Sequence, residues 1–193
     1  MNLLDAHGEA LREFDRTVHR VGGEQWDAPT PCTEWSVRDL VNHLVSEQLW
    51  VPHLLAGETI EEVGDRYDGD VLGDDPVGVW EKASAAARES WTAPGATDRQ
   101  VHLSYGEADA ADYGWQMTLD FAVHAWDLAT GIGAEQPMAD DVAEALLTTM
   151  GPQVQAWQGI GLFAPPVPVP ESASAPDRLL ALVGRDPGGR ARS

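Results

Sequence analysis

The chain has few cysteines and few basic residues, and each shortage excludes a class of function. Its one cysteine, Cys32, cannot form a disulfide within the chain, which fits a reducing compartment. Basic residues are scarce, because 12 Lys and Arg stand against 32 Asp and Glu for a net charge of −20. Such a surface repels phosphate backbones and anionic bilayers, so we expect neither a nucleic-acid partner nor a membrane partner.

No apolar run approaches the roughly 18 residues of a membrane span. The N-terminus lacks the basic flank and apolar stretch of a secretion signal, so we expect a cytoplasmic protein. The composition is that of a folded chain, with 43% apolar residues and a mean hydropathy of −0.28. A length of 193 residues suits one domain. We assign residues 1–187 to it and expect 188–193 to be a disordered tail.

Apolar residues that recur every three or four positions predict an all-α protein. Ser36, with Asp39 three residues later, is a start signal for the second helix, and Asp75 followed by Pro76 is one for the third. Asp109 is the expected cap of the fourth helix, and Gly151-Pro152 the expected end of the fifth. The predicted helices span about 4–21, 36–55, 76–93, 109–131, 140–150 and 177–183.

The segments between these helices carry weaker signals. Residues 57–76 contain eight acidic side chains and are predicted to form an exposed loop. Calcium is not expected there, because Leu72 and Val79 stand where an EF-hand needs an oxygen ligand and a glutamate. Residues 101–105 alternate in polarity, which predicts a short extended segment. The proline-rich residues 164–170 predict an irregular C-terminal arm.

The fourth predicted helix carries the most informative pair of residues. Asp120 and His124 are four apart, which puts them one turn apart on one face with Phe121. His43 on the second helix would converge with them if these two helices pack together. Two imidazoles and a carboxylate suit a divalent transition metal and leave a coordination position for substrate. A buried Asp–His hydrogen bond without any metal is the alternative explanation.

Two stretches of the sequence resemble a known family. They are residues 29–44, PTPCTEWSVRDLVNHL, and residues 120–129, DFAVHAWDLA. Together with Gly-Arg-Asp-Pro at 184–187, they are similar to the mycothiol-dependent maleylpyruvate isomerase N-terminal-like family, which belongs to the DinB-like superfamily. The resemblance covers most of the chain and implies a DinB-like four-helix bundle with short additional helices.

The same resemblance implies a metal site and a cosubstrate. His43, Asp120 and His124 match the family's metal ligands, the metal being most often zinc, with nickel or iron as alternatives. Members of the family use mycothiol or another small thiol. The isomerase has glutamate where this chain has Asp120. It also has a further C-terminal domain that supplies a catalytic arginine, and we identify no equivalent in this tail.

Three other residues have both a structural and a functional interpretation. Cys32 is a possible nucleophile, but packing in its proline-flanked loop is the expected role. Asp127 would either orient a metal ligand or have a helix-surface or capping role. His7 lies on the apolar stripe of the first helix, where a core histidine is the expected role. His19, His53 and His102 have no supporting pattern.

These observations lead to two hypotheses of different class. The first is a metal-dependent enzyme, of S-transferase or isomerase type, that activates a low-molecular-weight thiol for transfer to a small electrophile. The second is a non-catalytic metal-binding or interaction protein on the same bundle. We expect a monomer or a homodimer. A pocket that opens onto the metal would favour the enzyme.

Overall fold

A computed structural model describes residues 1–135 and 138–188. Within those residues the chain forms eight helices and one two-stranded hairpin. The elements are α1 Leu3–Val18, α2 Val37–Ala56, α3 Ile60–Val63, α4 Pro76–Thr92, β1 Gln100–Leu103, β2 Gly106–Asp109, α5 Ala110–Gly131, α6 Asp140–Thr149, α7 Gly151–Ala156 and α8 Ala175–Leu182. The expected all-α character is confirmed, with the hairpin as a small addition.

The starts of the second and third long helices follow their sequence signals. Ser36 Oγ accepts a hydrogen bond from the Asp39 N–H at 3.2 Å, and the Asp39 carboxylate accepts one from the Ser36 N–H at 2.9 Å. Asp75 caps α4 by accepting a hydrogen bond from the Gly78 N–H at 3.1 Å. These bonds satisfy N–H groups that a helix start leaves unpaired. α2 therefore begins where it must for His43 to lie in its second turn.

Four helices form the bundle that was expected. α1 packs against α5 and α4, and α2 packs against the same two helices, so the four close into a ring. Its interior is aromatic, since Phe14 and Trp80 are fully buried with ring centroids 4.8 Å apart. Phe121 is also fully buried and lies 6.0 Å from both rings. Each such side chain contributes roughly 2–3 kcal/mol by leaving water, so this cluster anchors α5.

Several local expectations were wrong or incomplete. The extended segment is one strand of an antiparallel hairpin, because Gly106 adopts the positive φ of 122° that the turn requires. Asp109 precedes α5 but makes no capping hydrogen bond; its carboxylate accepts one from Gln100 instead. Pro152 helps to begin α7 rather than only ending α6, because proline fits a helix's first turn. The acidic loop contains α3 and buries Leu72.

The C-terminal arm returns to the bundle. Residues 164–170 have no regular structure, as expected, and the Val167 N–H donates to the Ala181 carbonyl at 2.9 Å. Gly184 adopts a φ of +79°, and a Cβ there would lie 2.6 Å from that of Ala164. Glycine is therefore required where the chain turns toward Arg185. Of the tail predicted at 188–193, residues 189–193 lie outside the described residues.

In residues 1–135 and 138–188, no helix combines the length and apolar character needed to cross a bilayer.

Candidate metal centre

The packing of α2 against α5 brings together the three residues that the sequence singled out. His43 lies on α2, and Asp120 and His124 lie one turn apart on α5. Each offers a nitrogen or oxygen ligand atom, and these atoms all lie within 4.8 Å of one another. The convergence therefore depends on the bundle as much as on the spacing along one helix.

Asp120 faces both histidines with separate oxygens. Its Oδ2 lies 3.1 Å from His43 Nε2, and its Oδ1 lies 3.4 Å from His124 Nε2. The side chains of His43 and Asp120 are 28% and 27% exposed, whereas that of His124 is only 9% exposed. The site is thus a half-buried one, with one edge open to solvent.

His124 is held in place by a second carboxylate. Its Nδ1 lies 3.0 Å from Oδ2 of Asp127, whose side chain is completely buried. Arg185 donates to the same carboxylate from Nη2 at 2.8 Å and from Nε at 3.2 Å. With the Nδ1–H donated to Asp127, the Nε2 lone pair of His124 faces the site. The orienting role considered for Asp127 is therefore the one that its contacts support.

Arg185 is the residue that the sequence reasoning missed. It lies beyond α8 and is 58 residues away from Asp127 in the chain, so no helical spacing connects the two. Its Nη1 also donates to the Val183 carbonyl at 3.1 Å, which fixes the guanidinium close to the end of α8. The only available signal was the Gly-Arg-Asp-Pro segment, which had no assigned role.

Trp35 covers the two imidazoles. Its ring centroid lies 4.9 Å from that of His43 and 5.9 Å from that of His124, and the planes of the second pair are inclined by 30°. The loop is held by hydrogen bonds to the Trp35 carbonyl from the N–H of Thr30 at 3.2 Å and from its hydroxyl at 2.9 Å. Glu34 adopts a φ of 76°, a left-handed conformation that costs about 1–3 kcal/mol for such a residue.

The electrostatics of the cluster favour positive charge. Burial disfavours a charged imidazole, but the carboxylates of Asp120 and Asp127 outweigh it and raise the pKa of His124 to about 9. The pKa of His43 is raised in the same way, with Asp120 acting against burial. Burial opposes ionisation of Asp120, but His124 and His43 hold the pKa of its carboxyl well below its usual range. A divalent cation would satisfy the same carboxylate and both nitrogens.

Cys32 lies next to this site but on the other side of His124. Its Sγ, with ligand atoms of His124 and Asp127, forms a second group whose members are within 4.8 Å of one another. Asp127 is already engaged by His124 and Arg185, so its oxygens are poorly placed to bind an ion as well. Burial, and then the Asp127 charge, raise the pKa of the Cys32 thiol. These contacts favour the packing role over the nucleophilic one.

The remaining histidines lie elsewhere. His7 is 1% exposed in the core, as expected, and its Nδ1 lies 3.1 Å from Nη1 of Arg88. His53 contacts the Tyr67 hydroxyl at 2.7 Å and Glu58 at 3.0 Å. His19 and His102 lie near carboxylates on the surface.

The donor set fits a divalent transition metal. Two imidazole nitrogens and one carboxylate are ligands that zinc accepts, and three protein ligands leave a position for substrate. A cleft of about 420 Å³ opens beside His43 and is lined by Glu34, Trp35, Asp39 and Asn42 as well. The arrangement therefore combines a ligand set with access from solvent.

Comparisons with known proteins identify relatives of this chain. Residues 7–129 match the model of the mycothiol maleylpyruvate isomerase N-terminal domain family. Two proteins of Mycobacterium tuberculosis, MT0763 of strain CDC 1551 and Rv0738 of strain H37Rv, are 32% identical over 190 residues. That alignment covers 96% of this chain and 98% of theirs.

Solved structures identify the fold. The crystal structure of the mycothiol-dependent maleylpyruvate isomerase is 17% identical, with a TM-score of 0.71 over 97% of this chain and 90% of that one. A histidine-to-alanine mutant of that enzyme gives 18% identity and a TM-score of 0.65 over 89% of this chain and 76% of the other. The predicted DinB-like fold is confirmed. The family match extends over well more than half of the sequence, and the chain therefore belongs to the mycothiol maleylpyruvate isomerase N-terminal domain family.

Proposed function

We propose that this protein is a metal-dependent enzyme that activates a low-molecular-weight thiol for transfer to a small electrophile. His43, Asp120 and His124 would hold the ion, with zinc as the expected metal and nickel or iron as alternatives. The observation that carries the proposal is the convergence of three N and O ligand atoms within 4.8 Å of one another, on a site with an open edge. Mycothiol is the expected cosubstrate because of the family to which the chain belongs.

Asp120, Asp127 and Trp35 would each have a separate role at the site. Asp120 would compensate the positive charge of the ion, and its two oxygens lie 3.1 and 3.4 Å from the nitrogens of His43 and His124 that would hold the ion with it. Asp127, held by Arg185, keeps His124 Nε2 directed at the site. Trp35 shields one side of both imidazoles from water, which strengthens the electrostatic interactions beneath it.

When bound, a divalent cation lowers the pKa of a coordinating thiol, so that thiolate is available near neutral pH. The sulfur then forms a C–S bond with the electrophilic carbon, and the proton lost by the thiol is returned to the adduct or its leaving group. A free thiol with a pKa near 8.5 is only a few per cent ionised at neutral pH, so the gain in rate is large enough to measure.

The contacts at His43 favour an enzyme over a binding module. A sealed site would have supported the non-catalytic alternative, but a cleft of about 420 Å³ borders His43 directly. The structural match to the isomerase covers 97% of this chain, so the helices after α5 belong to the shared fold. In the cell we expect cytoplasmic small molecules as the partners, since the charge of −20 disfavours nucleic acids.

The test compares metal-loaded wild type with metal-free protein and with the metal-treated His124→Ala variant. Each is assayed with a panel of thiols that includes mycothiol and a panel of small electrophiles. We expect only metal-loaded wild type to exceed the background, and its rate to persist to lower pH than the uncatalysed reaction. Equal background rates for all three proteins would refute the transferase and leave the metal-binding module as the better account.

A further inference from the structure

A second cleft lies next to the candidate metal centre and is lined by residues of α2, of α5 and of the hairpin. It has a volume of about 230 Å³, and we call it the side cleft. Its lining includes Glu47, Trp50, Tyr105, Tyr113, Gln116 and Met117. The volume is below the roughly 300–1,000 Å³ of pockets for whole drug-sized ligands, so it suits one ring-sized segment of a larger molecule.

The side cleft and the metal centre share the same two helix faces. Glu47 is one turn beyond His43 on α2, and Gln116 is one turn before Asp120 on α5. The charges are close enough to interact, because burial and then the Asp120 carboxylate raise the pKa of Glu47. A molecule whose reacting end lies at His43 and Asp120 can therefore extend its other end into this cleft.

Two polar groups of the side cleft are available to a ligand, and one of them is buried. Tyr113 is 3% exposed, and its hydroxyl makes no hydrogen bond within the described ranges 1–135 and 138–188. Glu47 lines the same cleft, and Asp120, His43 and His124 are close enough for their charges to act on its carboxyl group. Leaving a buried polar group without a partner costs about 1–3 kcal/mol, so the Tyr113 hydroxyl favours a ligand that pairs with it, and the Glu47 carboxyl offers an acceptor in the same cleft.

The other walls define what such a ligand looks like. Trp50 and Met117 supply apolar surface for a carbon skeleton. At the rim, the side-chain amide of Gln116 donates a hydrogen bond to the Tyr105 hydroxyl oxygen at 2.8 Å. Glu47 and Asp120 are both acidic, which favours a hydrogen-bond donor and disfavours a second carboxylate.

We propose that the side cleft binds the non-reacting segment of the cosubstrate, and that it selects a neutral or cationic segment bearing hydroxyl or ammonium hydrogen-bond donors. This inference rests on the proposed function, since the cosubstrate's thiol is assigned to the metal centre. Glu47 accepts a hydrogen bond from the segment, and the Tyr113 hydroxyl pairs with one of its oxygens. Glu47 and Tyr113 are thus specificity-determining residues.

The test uses cobalt-loaded protein, in which a bound thiolate produces an absorption band. Three thiols are titrated: 1-thioglucose with hydroxyls, cysteamine with an ammonium group, and 3-mercaptopropionate with a carboxylate. Each thiol is compared between wild type and variants, which cancels the acidity of the thiol itself. Glu47→Gln keeps the shape and removes the charge, Tyr113→Phe removes only the hydroxyl, and Glu89→Gln removes an exposed charge on α4 as the matched control.

We expect Glu47→Gln to weaken cysteamine binding about tenfold and to leave 3-mercaptopropionate unchanged or tighter. Tyr113→Phe should weaken 1-thioglucose by about threefold to tenfold, with Glu89→Gln indistinguishable from wild type. If all three thiols give bands with affinities that neither cleft variant changes, the side cleft is not the subsite, although the proposed function stands.

A thiol-free titration separates the two proposals. Ethanolamine and propionate are added while NMR follows the Trp50 indole N–H in wild type and Glu47→Gln. A shift with ethanolamine that is lost in Glu47→Gln supports the side cleft, even if no thiol gives a cobalt band and the proposed function fails. An equal response to ethanolamine in both proteins, or a stronger one to propionate, overturns the selection that we propose.

Discussion

Two histidines are buried in this bundle, and their neighbours carry charges of opposite sign. His7 on α1 lies against Phe121 and Trp91, with ring centroids 5.4 and 5.6 Å away, and its polar neighbour is the Arg88 guanidinium. His124 on α5 lies beneath Trp35, and its polar neighbours are the carboxylates of Asp120 and Asp127. Both rings are therefore enclosed by aromatic side chains, and they differ in the charge beside them.

That difference decides which histidine can hold a cation. Burial, reinforced by Arg88, lowers the pKa of His7 to about 3, so its ring stays neutral and acts as a core side chain. The two carboxylates raise the pKa of His124 to about 9 despite its burial. A buried imidazole becomes a candidate cation site only where acidic groups converge on it.

The largest expected effect comes from removing a proposed ligand. His124→Ala or His43→Ala should weaken zinc binding by more than about a hundredfold, because orienting partners alone contribute ten- to a hundredfold. Wild type should contain about one metal equivalent per chain, measured by plasma mass spectrometry. His7→Ala is the matched control and should retain the metal. Full occupancy in His43→Ala would remove His43 from the site, and loss in His7→Ala would erase the contrast between the two histidines.

The pH dependence of stability should differ in sign between the two histidines in metal-free protein. The folded pKa of His124 is about 9 and its unfolded value is near 6.5. Its contribution is complete below pH 6.5 and is lost as the pH rises toward 9, which amounts to as much as about 3 kcal/mol. The folded pKa of His7 is about 3, so its contribution is present above pH 6.5 and is lost as the pH falls from there toward 3.

Urea unfolding at several pH values tests this contrast against His124→Asn and His7→Asn. The stability advantage of wild type over His124→Asn should shrink between about pH 6.5 and 9. Its advantage over His7→Asn should shrink as the pH is lowered from about 6.5 to 4.5. Two differences that move in the same direction with pH would mean that neighbouring charge does not distinguish these sites.

A smaller effect is expected from the residue that orients His124. Asp127→Asn removes the carboxylate that fixes His124 Nδ1 and leaves the Arg185 guanidinium, which is 14% exposed, without its counter-charge. We expect zinc affinity to fall about tenfold, measured by competition with a chelator. Asp15→Asn is the control, because the Asp15 carboxylate lies away from the site. It accepts a hydrogen bond from Trp80 Nε1 at 2.9 Å. Unchanged affinity in Asp127→Asn would show that the His124 ring is fixed by packing alone.

Whether a contact of the site could be predicted from the sequence depends on how far apart its two residues are in the chain. Asp120 and His124 are one helical turn apart, so their shared face was predictable from spacing, and the Ser36 cap correctly placed the start of His43's helix. The Arg185–Asp127 and Arg88–His7 pairs join residues 58 and 81 positions apart. No local periodicity encodes such pairs, because they depend on how the arm and the helices pack. The resemblance to the family supplied the bundle that local patterns alone did not.

The smallest effect should come from Cys32, which lies with Asp127 on the side of His124 away from Asp120. Cys32→Ser should change zinc affinity by less than about threefold, because burial and the Asp127 charge raise the pKa of the thiol and disfavour the thiolate that zinc would need. Asp127 is also engaged by three hydrogen bonds from His124 and Arg185. Competition with the same chelator gives the measurement, and Cys32→Ala controls for the hydroxyl of serine. A loss above tenfold in both variants would place the ion on the side of Cys32 and Asp127. Asp120 would then be the orienting carboxylate rather than the ligand, and the cleft beside His43 would no longer open onto the metal.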